Sequence, residues 1–428
     1  MKPFVRSVAV LALGAVLSAA RQQSASPTDW IRANAIPLAT AVAGHGFDDM
    51  QPLKKVIGSA HIVSLGEATH GTREFFQLKH RMLEFLASEM GFTIFSIEAS
   101  MPEAYRLNDY VLAGEGDPAK LLKGMYFWTW DTEEVLDMIQ WMREFNASGK
   151  GHVEFTGFDM QTPTVALQNA GRFVVRYDMM YSGAMQDVSS AVTRTSASLR
   201  ATGPSAPAPD AAVLANGRAV ITQVQVAMAH LEAGRAEYRT AGATDYDIDW
   251  AIQNLRVALQ GLQMDTNDVE RDRSMADNVK WILDRHPNAK IVLWAHNLHV
   301  AAGGGMMSET MGENLRRMFG KDMVVFGFAF NQGSFQAIQK GGPLTRFTVP
   351  PLPADSLDAT LASASIPMFA IDLRQAPAWF QTPRTSREIG SIYPAGSPGA
   401  NLIAFVAPAA FDAMLFVEST TAAWKNPR

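Results

Sequence analysis

The chain has 428 residues, a net charge of −5 with histidine neutral, 47% hydrophobic and 18% charged residues, and no cysteine. That charge gives no electrostatic case for a nucleic-acid or anionic-membrane partner. The missing thiol excludes disulfides, thiolate metal sites and a cysteine nucleophile, and the length suffices for one large or two medium domains.

Lys2 and Arg6 precede an apolar stretch from Ser7 to Ala20, and Ser18, Ala19 and Ala20 put small residues where a signal peptidase cleaves. The pattern predicts a secretory signal over residues 1–20, a mature chain starting near Arg21 and a periplasmic or secreted product. The run is shorter than the about 20 apolar residues of a spanning helix, so no stable membrane insertion is expected after cleavage. Residues 21–428 read as a single domain.

Trp30 to Ala41 reads as a first helix, and 61–66 as a strand leading to Glu67 and His70. Phe75, Leu78, Met82, Phe85, Leu86 and Met90 then fall at helical spacing, with Thr72 as N-cap, Glu74 in the first turn and Gly91 as the stop. A strand at 92–97 ends at Glu98. Residues 102–147 read as mostly helical, interrupted at 114–118, and carry Trp128 and Trp130. A strand at 152–158 ends at Asp159. From about 165 to 285 no strand-like run occurs, which predicts a helical insertion broken at 201–212, with return helices at 246–264 and 268–285. Strands resume at 289–295, ending at His296, and at 323–330, ending at Asn331. Three more are expected at 366–372, 402–407 and 411–418, with 375–400 a long loop near the cleft.

Short, β-branched-rich apolar runs separated by helical stretches are the pattern of buried parallel strands. The expected fold is therefore α/β: a mostly parallel sheet flanked by helices, with the insertion over the C-terminal edge of the sheet. Ligands of such sheets bind beyond the carboxyl ends of the strands. Glu67, His70, Glu98, Asp159, His296 and His299 all follow such ends, so they should converge on one cleft.

Gly66-Glu67-Ala68-Thr69-His70-Gly71 carries the strongest local signal. A carboxylate accepting from one imidazole nitrogen fixes the tautomer and raises the basicity of the other, the arrangement of a general base acting on water. A cap or salt bridge beside the sheet is the plainer reading of the same residues. Glu98, at the end of an apolar strand, needs a partner if buried. No HExxH or Gly-x-Ser-x-Gly occurs; in Ala395-Gly396-Ser397-Pro398-Gly399, Pro398 lacks the N–H that a nucleophile elbow requires.

The stretch 66–72 with Glu74-Phe75-Phe76 and Glu98, then Phe127-Trp128-Thr129-Trp130 with Glu134-Val135, resembles the erythromycin esterase family. So do Arg271-Asp272-Arg273-Ser274-Met275-Ala276, Ala295-His296-Asn297-Leu298-His299 and the closing 411–416, in the family's order from about residue 50 onward. The resemblance implies a deep cleft and hydrolysis of an ester, in the named members a macrolide lactone, an antibiotic-resistance activity. It implies His70 as general base, with Glu67, Glu98, His296 and His299 completing the site and no essential metal. One departure is Lys79, where family members usually carry arginine; lysine keeps the charge but loses the fork geometry.

Lys79, Trp128, Trp130, Asp159 and Arg271 are the expected substrate contacts, and a small-molecule ester or lactone is the expected partner. Two other classes stay open on the residues alone. Glu67, His70, His296 and His299 would suit a divalent metal in a hydrolase or protease. A cleft with Trp128 and Trp130 would also suit an envelope binding protein without turnover.

Overall fold

The structure, a computed structural model, describes residues 26–200, 209–267, 270–397 and 399–426. The expected signal at 1–20 and positions 201–208 of the expected break lie outside these residues.

The strands are β1 (Ile36–Pro37), β2 (Ile62–Leu65), β3 (Ile94–Ser100), β4 (Glu154–Asp159), β5 (Ile291–Trp294) and β6 (Met323–Gln339). They continue with β7 (Leu344–Val349), β8 (Met368–Asp372), β9 (Arg384–Arg387), β10 (Ile392–Tyr393), β11 (Leu402–Phe405) and β12 (Ala413–Thr420). The main sheet runs β1-β8-β12-β6-β2-β5-β3-β4, with β7 and β10 also paired to β6. From β12 through β4 every neighbour is parallel, while β8, β1 and β7 are antiparallel additions. The α/β class with a mostly parallel sheet is therefore as expected.

Apolar residues run continuously through the central strands because both faces are covered. In β5, Ile291 and Leu293 enter one buried cluster and Val292 and Trp294 the other; Met323, Val325 and Val324, Phe326 of β6 divide the same way. Helix Arg73–Met90 covers the second face with Phe75, Leu78 and Phe85, and ends at Gly91 in the left-handed region. Thr72 stands at its N-cap position, but its hydroxyl bonds Thr69 Oγ1 instead of capping the helix.

Residues 164–285 hold helices Thr164–Tyr177, Ser182–Arg200, Ala211–Ala233, Arg235–Thr240, Asp245–Asp265 and Arg271–Arg285, with no strand among the described residues. Their inner faces, including Val174, Val192, Val224, Leu255 and Val279, belong to the same cluster as Ile62, Ile291 and Val325 of the sheet. Buried Asn278 ties the last helix to the sheet by donating to the Phe158 carbonyl of β4.

Three local expectations fail. The first helix is Pro27–Asn34 and stops before Pro37, leaving Ile36 and Pro37 to pair with β8. β6 does not stop at Asn331 but continues to Gln339, because its second half pairs with β7 as a hairpin. The strand expected at 402–407 is β11, which leaves the main sheet and pairs with β9 in a separate two-stranded sheet.

Candidate active site

Beyond β2 the chain turns at Gly66, where a Cβ would lie 2.1 Å from Asn297 Oδ1. Only glycine admits that approach, and it sets Glu67 and His70 against the end of β5. Glu67 is fully buried. Its Oε1 accepts from His70 Nδ1 at 2.7 Å, and its Oε2 from Lys79 Nζ at 2.5 Å and Trp294 Nε1 at 2.7 Å. With Nδ1 donating to the carboxylate, Nε2 is the nitrogen left for a proton; among the described residues it makes no hydrogen bond. The His70 side chain is 11% exposed, so the ring is not sealed from solvent.

Lys79 comes from the middle of the following helix and is wholly buried, with its ammonium 4.3 Å from the Trp294 ring centre and 5.2 Å from that of Phe328. Burial pulls its pKa down to about 8 against the opposing charge of Glu67. Expected as a substrate contact, Lys79 is placed with its ammonium on Glu67.

A second carboxylate–histidine pair stands opposite. Asp272, on the first turn of helix Arg271–Arg285, accepts from His299 Nδ1 at 2.9 and 3.0 Å and from the Met311 amide at 2.8 Å. His299 Nε2 then faces Glu98 Oε1 at 3.5 Å and Arg271 Nη1 at 3.1 Å. Burial works against charging His299, but Glu98 and Asp272 outweigh it and raise its pKa. Burial would likewise push Glu98 up; His299, Arg271 and His70 reverse this and hold it well below the carboxylate range.

Arg271 joins these groups. Its Nε and Nη2 donate to the two oxygens of Asp159 at 3.1 and 2.7 Å, and Nη2 also to Glu98 at 2.8 Å. With Nη1 on His299, four of its five N–H groups are used and one is left for a ligand. The side chain is 21% exposed. Asp159, also expected as a substrate contact, is fully buried with both oxygens accepting from Arg271.

His296 is neutral by its bonding. Its Nε2 donates to the Ile389 carbonyl at 3.1 Å and its Nδ1 accepts from the Leu298 amide at 3.2 Å. Burial, with His70 and His299 adding, holds its pKa well below the ordinary value. Its ring lies 4.9 Å from that of His70, centre to centre. Ile389 also donates to the Ala68 carbonyl and bridges Thr69, so one residue of the 375–400 stretch clamps both histidine loops.

The strand ends thus bring together Glu67, His70, Glu98, Asp159, His296 and His299, as the sequence led one to expect, with Arg271 arriving from the helical segment. Trp130 does not join them. It packs in the core against Trp294 and Phe76, where apolar burial outweighs its polar edge. Trp128 is half-buried in the adjoining turn. Sequence reasoning missed Asp272, although it sits beside Arg271 in a recognised segment. It also missed Trp294, which reads as strand core, and Ile389, whose contribution is a backbone carbonyl with no side-chain signature. Among the described residues no group of three or more His, Asp or Glu side chains is arranged to hold a metal ion.

The fold is α/β, and the family that the sequence matches makes the protein a hydrolase. The sequence model of the family described as erythromycin esterase matches residues 87–420, and the chain belongs to that family. Erythromycin esterase type II of Escherichia coli is 26% identical over 343 residues, covering 72% of this chain and 78% of that protein. A crystal structure of a Bacillus cereus protein superposes with a TM-score of 0.78 at 24% identity, covering 93% of this chain and 98% of that one. An erythromycin esterase mutant in its open conformation gives a TM-score of 0.66 at 17% identity, covering 88% and 94%. The second and third likenesses speak to the fold. Among the described residues no helix is long and apolar enough to cross a membrane.

Proposed function

We propose that the protein hydrolyses a carboxylic ester or lactone by direct attack of water. The observation that carries this is the Glu67–His70 pair: a buried, cation-neutralised carboxylate holds His70 Nδ1 and leaves Nε2 open to the cleft. His70 Nε2 takes a proton from water as the oxygen attacks the carbonyl carbon; the acyl C–O bond breaks, and the alcohol leaves with a proton. Arg271, with its remaining N–H, faces the developing oxyanion, with His299 beside it held by Asp272. The Asp272–His299 pair is the second proton-handling group and can return a proton to the leaving oxygen. A macrolide lactone is one candidate substrate, supported by the likeness to erythromycin esterase type II.

Incubation with a panel of macrolides and simple activated esters, followed by mass spectrometry, tests this. A ligand gaining one water supports hydrolysis; binding without mass change across the panel would make the cleft a capture site. His70→Ala should lower the rate on any ester turned over by at least about 10²-fold. Full activity in that variant removes His70 from the mechanism.

We also propose export, on the strength of Lys2, Arg6 and the apolar run to Ala20. N-terminal sequencing of protein from the native host should start close to Arg21, and an intact Met1 would contradict it.

A further inference from the structure

Glu134 is a buried acid that the mechanism above does not use. It stands in the first turn of helix Glu133–Ala147, just after the turn that carries Trp128 and Trp130, and is 5% exposed. An acid at that position ordinarily serves the helix dipole from the surface. Here both oxygens accept from the Trp424 amide at 3.2 Å, and Oε1 lies 3.4 Å from Arg73 Nε. Burial pushes its pKa up to about 7 in spite of these two donors.

The partners of Glu134 lead to His70. After β12 the chain leaves the sheet, and residues 421–425 run as a strap between two stretches of backbone. On one side Thr421 O accepts from the Arg73 amide at 2.9 Å, Thr72 and Ala422 form an antiparallel bridge, and the Ala423 amide donates to Gly71 O at 3.0 Å. On the other side the Glu133 amide donates to Trp424 O at 2.9 Å and Thr132 bridges Lys425. The Arg73 guanidinium covers the Trp424 ring at 3.8 Å from its centre. Gly71 is also held from the sheet: the Gln336 amide donates to its carbonyl at 3.0 Å, and a Cβ there would lie 2.2 Å from Gln336 O. The backbone that follows His70 is therefore pinned residue by residue, and the strap does much of the pinning.

We propose that Glu134 is a positioning residue for His70: it holds the Trp424 amide and the Arg73 side chain, and through the strap it fixes the Gly71–Arg73 backbone on which the imidazole is carried. The turn with Trp128 and Trp130 thus has a second line to the site, beside the contact of Trp130 with Trp294 behind Glu67. The proposal rests on the hydrolase reading above only for its kinetic readout.

The test compares Glu134→Gln with Glu134→Ala. Glutamine keeps an acceptor for the Trp424 amide and should hold kcat within about threefold of wild type, whereas alanine frees both the amide and Arg73. Alanine should lower kcat by at least about tenfold with KM little changed, the scale of a misplaced catalytic group. Nitrogen NMR of the His70 ring needs no substrate: its resonances should match wild type in the glutamine variant and move in the alanine variant. A tie that only stabilised the fold would lower the melting temperature and leave kcat and the His70 spectrum unchanged below it. That result in a folded alanine variant overturns the positioning role, and glutamine as damaging as alanine overturns the role of acceptor. If alanine prevents folding, Trp424→Ala replaces it: the residue is 47% exposed and its loss releases Arg73. The His70 resonances should still move and kcat fall by at least about threefold; an unmoved spectrum overturns the proposal. Wild-type protein inert toward every ester would sink the hydrolase reading, and the His70 spectra would still judge Glu134.

Discussion

Lys79 shows how much a single side chain can set. Its ammonium is the cation nearest the Glu67 carboxylate, and removing one member of such a buried pair costs on the order of 3–5 kcal/mol. Its pKa, pulled to about 8 by burial, predicts a pH effect whose sign differs for activity and stability. As pH rises through about 8 the folded chain loses the Lys79 charge, Glu67 loses its counter-ion, and kcat/KM should fall. Stability moves the other way. The unfolded lysine still holds its proton up to about 10.4, so between these values the unfolded state binds more protons and this group's contribution to stability rises. Lys79→Arg keeps the charge throughout and should remove the alkaline fall near pH 8; Lys79→Met should lower kcat/KM by at least about tenfold at neutral pH. A wild-type profile flat to pH 10 would disconnect Lys79 from the reaction.

Among elements, helix Arg271–Arg285 is the one whose role changed most between sequence and structure. Its periodicity was legible, as were β2, β3, β4 and β5, because both-face burial writes short apolar runs into the text. That its first turn delivers Asp272 to His299 was not legible, since an acid in a first helical turn usually means no more than favourable alignment with the helix dipole. The second half of β6 was missed for a related reason: Gln332, Gly333, Ser334 and Gln336 look like loop, and only the partner β7 makes them strand. The acids and histidines at strand ends could be read in advance because strand geometry alone brings them together. Trp130 and Ile389 could not, since one is placed by packing and the other acts through its backbone. Asp272→Asn tests the helix's contribution. It keeps shape but offers only one acceptor, against two oxygens now shared by His299 and the Met311 amide. It should lower kcat by about 10–10²-fold with little change in melting temperature, on the scale of a group that orients a catalytic imidazole. Wild-type kcat would leave His299 without a proton-handling role.

At the scale of the molecule, the helical segment is joined to one face of the sheet by a common core, and Arg271 is where that union meets the chemistry. The opposite arm of the site is the stretch from β9 to β11, and its two ends are under unequal constraint. Near Glu388 and Ile389 it is bolted to Asn297, His296 and Ala68. A few residues on, Tyr393, Gly396 and Ser397 line an open pocket of about 400 Å³. Substitution at the outer end should therefore reshape only the wall of that pocket, whereas substitution at the inner end also disturbs the loops that hold His70 and His296. The cost of change thus differs along one short segment: among the described residues an exchange at 393–397 meets no bond to the two histidine loops, whereas one at 388–389 breaks several.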